Sequence, residues 1–172
     1  MSLSIPSAVI NWDILNEIIS MDEDEPSFSK ELIIQYIDQV DTTFAEMEHH
    51  LHTTKDLSQL DSLGHFLKGS SAALGLQRIA WVCERIQNLG RKAENTFPDQ
   101  TDILNTLPKG VSLTEEELKK CNGDDNDEVT SQDVEDGENT IYIALISKAL
   151  RQARLEFRLA RNALSEYYKT EL

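Results

Sequence analysis

The sequence predicts an all-α protein: an antiparallel four-helix bundle with an extra short N-terminal helix and an acidic loop before the last helix. Three observations carry that prediction. Apolar residues recur at three- and four-residue spacing along most of the chain. Hairpin signals are absent. Four of the helical segments are long, and most of their connections are short. With 172 residues the chain can bury one sizeable core but hardly two, so 1–172 reads as a single domain.

The first helix is expected over 11–21, where Trp12, Ile14, Leu15, Ile18 and Ile19 cover an arc of about 160°. That is wide for a helix resting on one surface. Pro26 ends it. The segment 27–107 holds three bundle helices and a brief fourth. A helix from Ser27 to Leu51 carries the stripe Ile33, Tyr36, Ile37, Val40, Phe44, Met47 and Leu51. The next opens on Asp56 and Gln59, spaced as a capping box, buries Leu60, Leu63, Leu67 and Leu74, and stops at Gly75. A third runs from Gln77 to Glu94 with Ile79, Val82, Cys83, Ile86 and Leu89 inward, and Pro98 closes it. A brief helix fits Asp99 to Leu107. Residues 108–138 read as a solvated acidic loop with at most a short turn after Thr114. The last helix, 139–168, turns Ile143, Ile146, Leu150, Ala153, Phe157, Ala160 and Leu164 inward.

Composition excludes several classes. The net charge is −15, and Thr114 to Glu138 alone holds eleven acidic residues and two lysines, or −9. Such a surface repels a phosphate backbone and anionic lipid, so neither nucleic acid nor membrane is an expected partner. No run approaches the roughly 18 apolar residues a membrane span needs. The N-terminus lacks the basic and apolar blocks of a secretory signal. Cys83 and Cys121 are too far apart for a C-x-x-C pair and read as free thiols of a reducing compartment. Cytoplasm, with passage to the nucleus, is the expected location.

HFLKGSSAALG, His65 to Gly75, stands out. His65, Lys68, Gly69 and Ala72 share one line of their helix, beside the buried leucine stripe and therefore at least partly exposed. A neutral imidazole is a nucleophile near pH 7, and Lys68 can offset the charge of a phosphoryl group placed on it. Gly69 costs roughly 1 kcal/mol relative to alanine in a helix interior, which is explained if something must approach closely. The plainer reading makes His65 a surface residue, Lys68 a solvated charge and Gly69 a helix–helix contact. If the chain folds back at Gly75, His65 lies about 15 Å below the turn. Its level position on the next helix is then near residue 86, beside Gln87, whose amide can orient the ring or a phosphoryl oxygen. Arg91, one turn further, supplies a second cation.

The H-x-L-K-G-S-S pattern resembles the motif of histidine-containing phosphotransfer (HPt) domains. INWDILNEIISMDED, HFLKGSSAALGLQRIAWVCERIQNLGRK and ARLEFRLARNALSEYY, in that order, resemble the fungal members along nearly the whole chain. The resemblance implies an HPt-type bundle and a phosphorelay intermediate, acting in osmotic-stress two-component signalling. His65 would accept a phosphoryl group from the receiver aspartate of a hybrid sensor histidine kinase and pass it to response-regulator receivers. By the same resemblance Lys68 stabilises the phosphate, Gly69 admits the receiver, and Ser70 and Gln87 flank the site. An apolar docking surface would comprise Ile14, Ile18, Met21, Phe28, Leu32 and Phe66, rimmed by Glu17, Asp22 and Asp24. On the residues alone, these side chains equally cap the core. The protein would work as a monomer, with no cofactor of its own and with Mg²⁺ on the partner receiver. No G-x-x-x-x-G-K-[ST] loop is present, so it is expected to be a phosphocarrier without an ATP site, not an autonomous enzyme. A helical adaptor that binds partners without chemistry is the alternative.

No metal site is expected. His49, His50 and His52 lack a partner ligand at convincing spacing. DDNDEVTSQDVE lacks the glycine an EF-hand needs at its sixth position. Cys83 fits a core position, and Cys121 reads as a loop thiol.

Overall fold

The computed structural model describes residues 5–122 and 137–172. Every regular element among them is helical. Helix α1 (Trp12–Ile19) starts at Asn11, whose side-chain oxygen accepts from the Asp13 N–H at 3.1 Å. Its wide apolar arc is divided. Leu15 is fully buried and Ile18 and Ile19 lean on the core, whereas Trp12 and Ile14 stay exposed. A 3₁₀ turn, Ser20–Glu23, leads on to α2 (Phe28–His49). Ser27 precedes α2 with left-handed backbone (φ 70°) and makes no side-chain cap. Asp22 supplies the cap from outside, accepting from the Ser29 N–H at 2.8 Å and the Ser29 hydroxyl at 2.6 Å. These bonds hold its carboxyl below the usual carboxylate range.

A π-helical turn, His50–Thr54, and left-handed Lys55 (φ 52°) link α2 to α3 (Leu57–Ala73). Asp56 caps α3 through the Gln59 N–H at 3.2 Å, as its spacing predicts. At the other end Gly75 takes φ +82°, its N–H donates to Ala72 O (3.0 Å), and the Leu76 N–H donates to Ser71 O (2.9 Å). This is a Schellman stop. The turn is also crowded, because a Cβ on Gly75 would lie 2.6 Å from Asn11 O.

Helix α4 (Gln77–Gly90) ends earlier than predicted. Left-handed Lys92 (φ 61°) turns the chain, and the Asn88 carbonyl accepts from the N–H groups of both Ala93 and Glu94. Pro98 therefore plays no part in closing it. Helix α5 (Gln100–Leu104) is the brief helix, shorter than 99–107.

Residues 108–138 do not form the uniform loop expected. Glu115–Asn122 is a two-turn helix, α6, with a reciprocal capping box: the Thr114 N–H donates to Glu117 Oε1, and the Glu117 N–H donates to Thr114 Oγ1, each at 3.1 Å. Glu117 fastens α6 to the last helix, α7 (Gly137–Tyr168), accepting from Asn162 (2.9 Å) and Arg158 (3.1 Å). Cys121 is thus a half-buried helix residue, its Sγ 3.7 Å from Arg154 O, and burial pushes its thiol up. The remainder of the predicted loop, with DDNDEVTSQDVE, lies outside the described residues.

The bundle is α2, α3, α4 and α7. Cross-contacts show every neighbouring pair antiparallel. Tyr36 of α2 bonds Ser71 near the end of α3 (2.6 Å). Arg78 at the start of α4 meets Glu156 far along α7, and Lys92 beyond its end covers the ring of Tyr142 near the α7 start. Ser29 opens α2 against Tyr168 at the end of α7. Phe44 packs edge-on against Phe157 at 5.7 Å, a contact worth about 0.5–1.5 kcal/mol beyond its burial. All seven residues predicted to face inward on α7 are buried. Leu63 of α3 is only partly so.

One polar residue holds the far end together. Arg78 is 1 % exposed, and each of its five N–H groups has a partner. Nε and one Nη donate to the two Glu156 oxygens at 2.7 and 2.9 Å. The remaining bonds go to Pro6 O, Thr106 Oγ1 and Ile103 O. The N-terminal arm, α4, α5 and α7 converge on that guanidinium.

Candidate functional site

The site is built on the α3–α4 seam. Two glycines let these helices approach. A Cβ on Gly64 would lie 2.9 Å from Gln87 N and 3.0 Å from Cys83 O. One on Gly90 would lie 2.8 Å from Asp61 N. Both contacts are with backbone, which cannot step aside. At that separation Gln87 Nε2 lies 3.0 Å from His65 Nδ1. The level position inferred from the Gly75 turn is therefore correct to one residue. His65 itself is exposed, while Gln87 is buried.

Ion pairs cross the same seam on either side of the imidazole. Toward the turn, Lys68 Nζ lies 3.2 Å from Glu84 Oε1. Toward the open end, Arg91 Nη2 lies 3.1 Å from Asp61 Oδ1. Each step up α3 is a step back along α4, as antiparallel helices require. The cation stands on α3 in one pair and at the C-cap of α4 in the other, so the ring sits between two pairs of no net charge. Arg91 engages Asp61, and no hydrogen bond from it reaches the histidine. Behind Glu84, buried Arg85 holds its other oxygen at 2.9 Å and reaches Glu94 at 3.3 Å.

Gly69 differs from the other two glycines. Among the described residues, nothing lies within 4 Å of the Cβ it lacks. No described helix packs there, which speaks against the plainer reading of this residue as an internal contact. Ser70 turns its hydroxyl back to Phe66 O (3.2 Å), bonding its own helix. Ser71 is buried against Tyr36, whose hydroxyl burial pushes up. Cys83, beneath the seam, is fully buried and pushed up to about 12 by desolvation, so it is an inert core thiol.

The predicted docking residues divide. Ile14, Met21 and Phe66 are exposed, by 37, 53 and 45 %. Ile18 and Leu32 are half-buried against the core, and Phe28 is half-buried. Glu17 and Asp24 face solvent, whereas Asp22 spends its carboxylate on Ser29. His50 bonds Thr54 through Nδ1 at 2.7 Å, and among the described residues no three His, Cys, Asp or Glu side chains gather as a metal site.

Gly64, Gly90, Asp61 and Glu84 were not foreseen as parts of this seam. For the two acids a signal existed. Folding the sequence at Gly75 sets Asp61 level with Arg91 and Lys68 level with Glu84, each pair of opposite charge.

Comparison with known proteins gives this geometry a family. The Hpt domain model matches residues 31–121. Phosphorelay intermediate protein YPD1 of Saccharomyces cerevisiae is 60 % identical over 171 residues, covering 98 % of this chain and 99 % of its own. A crystal structure of yeast Ypd1p matches with a TM-score of 0.87 and 56 % identity, over 99 % of this chain and 100 % of that one. A co-crystal structure of S. cerevisiae Ypd1 with the receiver domain of its downstream response regulator Ssk1 matches at 0.83 and 58 %, over 98 and 100 %. The chain therefore belongs to the Hpt family of histidine phosphotransfer proteins and is a phosphorelay intermediate, a phosphocarrier rather than a kinase.

Proposed function

We propose that His65 carries the phosphoryl group, accepting it from one receiver aspartate and surrendering it to another. The observation that supports this best is the pairing of an exposed imidazole with a buried amide 3.0 Å from its Nδ1. Attack needs a lone pair on Nε2, and hence a proton on Nδ1. As placed, the Gln87 Nε2–H donates to Nδ1; rotating the amide by about 180° brings its oxygen to the ring to accept from Nδ1–H, and this holds the attacking tautomer. The Nε2–P bond then forms as the P–O bond of the acyl phosphate breaks, and the electron pair leaves on the receiver carboxylate. Lys68 and Arg91 supply positive charge one turn to either side, and Ser70 completes the flank. The open space at Gly69 admits the receiver's reacting edge. Positioning and charge supply the catalysis, and Mg²⁺ belongs to the receiver.

The docking surface proposed comprises Phe66 with Ile14, Ile18, Met21, Phe28 and Leu32, and Glu17, Asp22 and Asp24 as its polar border; exposed Ile14, Met21 and Phe66 support it. An apolar centre within a polar border suits a protein partner. The partners proposed are the receivers of a hybrid sensor histidine kinase and of response regulators in an osmotic-stress relay, the yeast relative having been crystallised with the Ssk1 receiver. The protein acts as a monomeric single domain in cytoplasm and nucleus. Among the described residues no helix is long and apolar enough to cross a membrane.

The test is transfer of labelled phosphate from a phosphorylated receiver to wild type and His65→Gln side by side. Wild type should acquire acid-labile, alkali-stable label and the variant none. Label on the variant removes His65 from the role. For docking, Ile14→Ala and Ile18→Ala should weaken receiver binding; a cost in stability alone would return them to the core.

A further inference from the structure

The carboxylates of the two ion pairs have no part in the scheme above, and their placement gives them one. This chain carries 16 lysines and arginines against 31 aspartates and glutamates. The two cations beside His65 are each matched by an acid across the seam, at 3.2 and 3.1 Å. Neutral imidazole leaves both pairs undisturbed. A phosphoryl group on Nε2 brings nearly two negative charges between them. Lys68 is 39 % exposed and Arg91 50 %, so both side chains are free to swing toward it. Glu84 is not free to leave, because Arg85, itself 6 % exposed, grips its second oxygen at 2.9 Å. Asp61 sits where its backbone N–H is pressed against Gly90. A phosphoryl group there would compete with each carboxylate for its cation, while Glu84, still held by Arg85, and Asp61 stay one turn from it.

We infer that Glu84 and Asp61 are positioning residues that keep the phosphohistidine high in free energy, so that the phosphoryl group passes on to a receiver. This rests on His65 being the carrier. The quantity they set is the equilibrium of the second transfer, in which the Nε2–P bond breaks and a P–O bond forms to the receiver aspartate.

The experiment mixes phosphorylated protein with the Ssk1 receiver domain and Mg²⁺ and measures the ratio of phosphohistidine to phosphoaspartate at equilibrium, for wild type, Glu84→Gln, Asp61→Asn and His65→Gln. Each neutral substitution should move the ratio toward histidine by about two- to fivefold, the range of partly exposed charge pairs. The gain should shrink in 1 M salt, where charges are screened within about 3 Å; a purely structural role would not respond so. Unchanged thermal unfolding controls for folding. If the ratio is unmoved or shifts toward the receiver, the carboxylates do not have this role, although His65 still carries the phosphate. Label on His65→Gln overturns the carrier assignment itself.

Discussion

Acid and base pair at two places along α4, to opposite ends. At its start, Arg78 and Glu156 are both 1 % exposed, and the guanidinium has no N–H left over. Near its other end, the pairs beside His65 are between 26 and 50 % exposed and hold one another by single contacts. The first arrangement has no alternative partner and therefore serves as glue. The second can exchange partners, which is what a site that gains and loses phosphate requires. Burial, more than residue type, separates the two roles.

Arg78→Ala should draw the contrast most sharply. It strands the Glu156 carboxylate in the interior and should cost about 3–5 kcal/mol, seen as a large drop in the urea midpoint. Arg91→Ala, at a half-exposed pair, should cost at most about 1 kcal/mol. Equal losses would dissolve the distinction.

The glycines give the next largest effect. Gly64→Ala drives a methyl into the α4 backbone and should cost about 1–3 kcal/mol, parting Gln87 from His65. Gly69→Ala meets nothing and should instead raise stability by about 0.5–1 kcal/mol while weakening receiver binding. Thermal melts and a binding titration check both. A destabilised Gly69→Ala protein would mean that the glycine serves the fold.

Acid has the smallest effect. Hydrogen bonds from Asn162 foremost, with the Thr114 cap and Arg158, hold the Glu117 carboxyl at about 2, below its ordinary 4.5. A depressed carboxyl stabilises fully above 4.5 and ceases to do so as pH falls through about 2. Amide-exchange protection in α6, taken relative to the intrinsic rate at each pH, should therefore fall over that window, by an amount worth about 1 kcal/mol or less. Protection unchanged at pH 2 would show that Glu117 does not fasten the helix.

Much of this was legible in the sequence. The inward stripes of α2 and α7, the Asp56 cap and the Gly75 stop all follow from periodicity and local chemistry, and so did the level of Gln87 opposite His65. What escaped depended on neighbours distant in sequence. Arg78 looks like any surface arginine until Glu156, 78 residues away, is brought against it. Helix α6 was hidden because its three leading glutamates suggest solvent, whereas Thr114, Asn162 and Arg158 engage Glu117. Gly64 and Gly69 are identical as letters, and only the packing of α4 separates them.

The return leg of the relay tests the central claim most directly. Protein labelled on His65 is freed of its donor and mixed with unphosphorylated receiver and Mg²⁺, and the label is followed on both chains. The account predicts that phosphate leaves His65 and appears on the receiver aspartate. Label that decays at the same rate with and without receiver, or that resides on another residue, would contradict it.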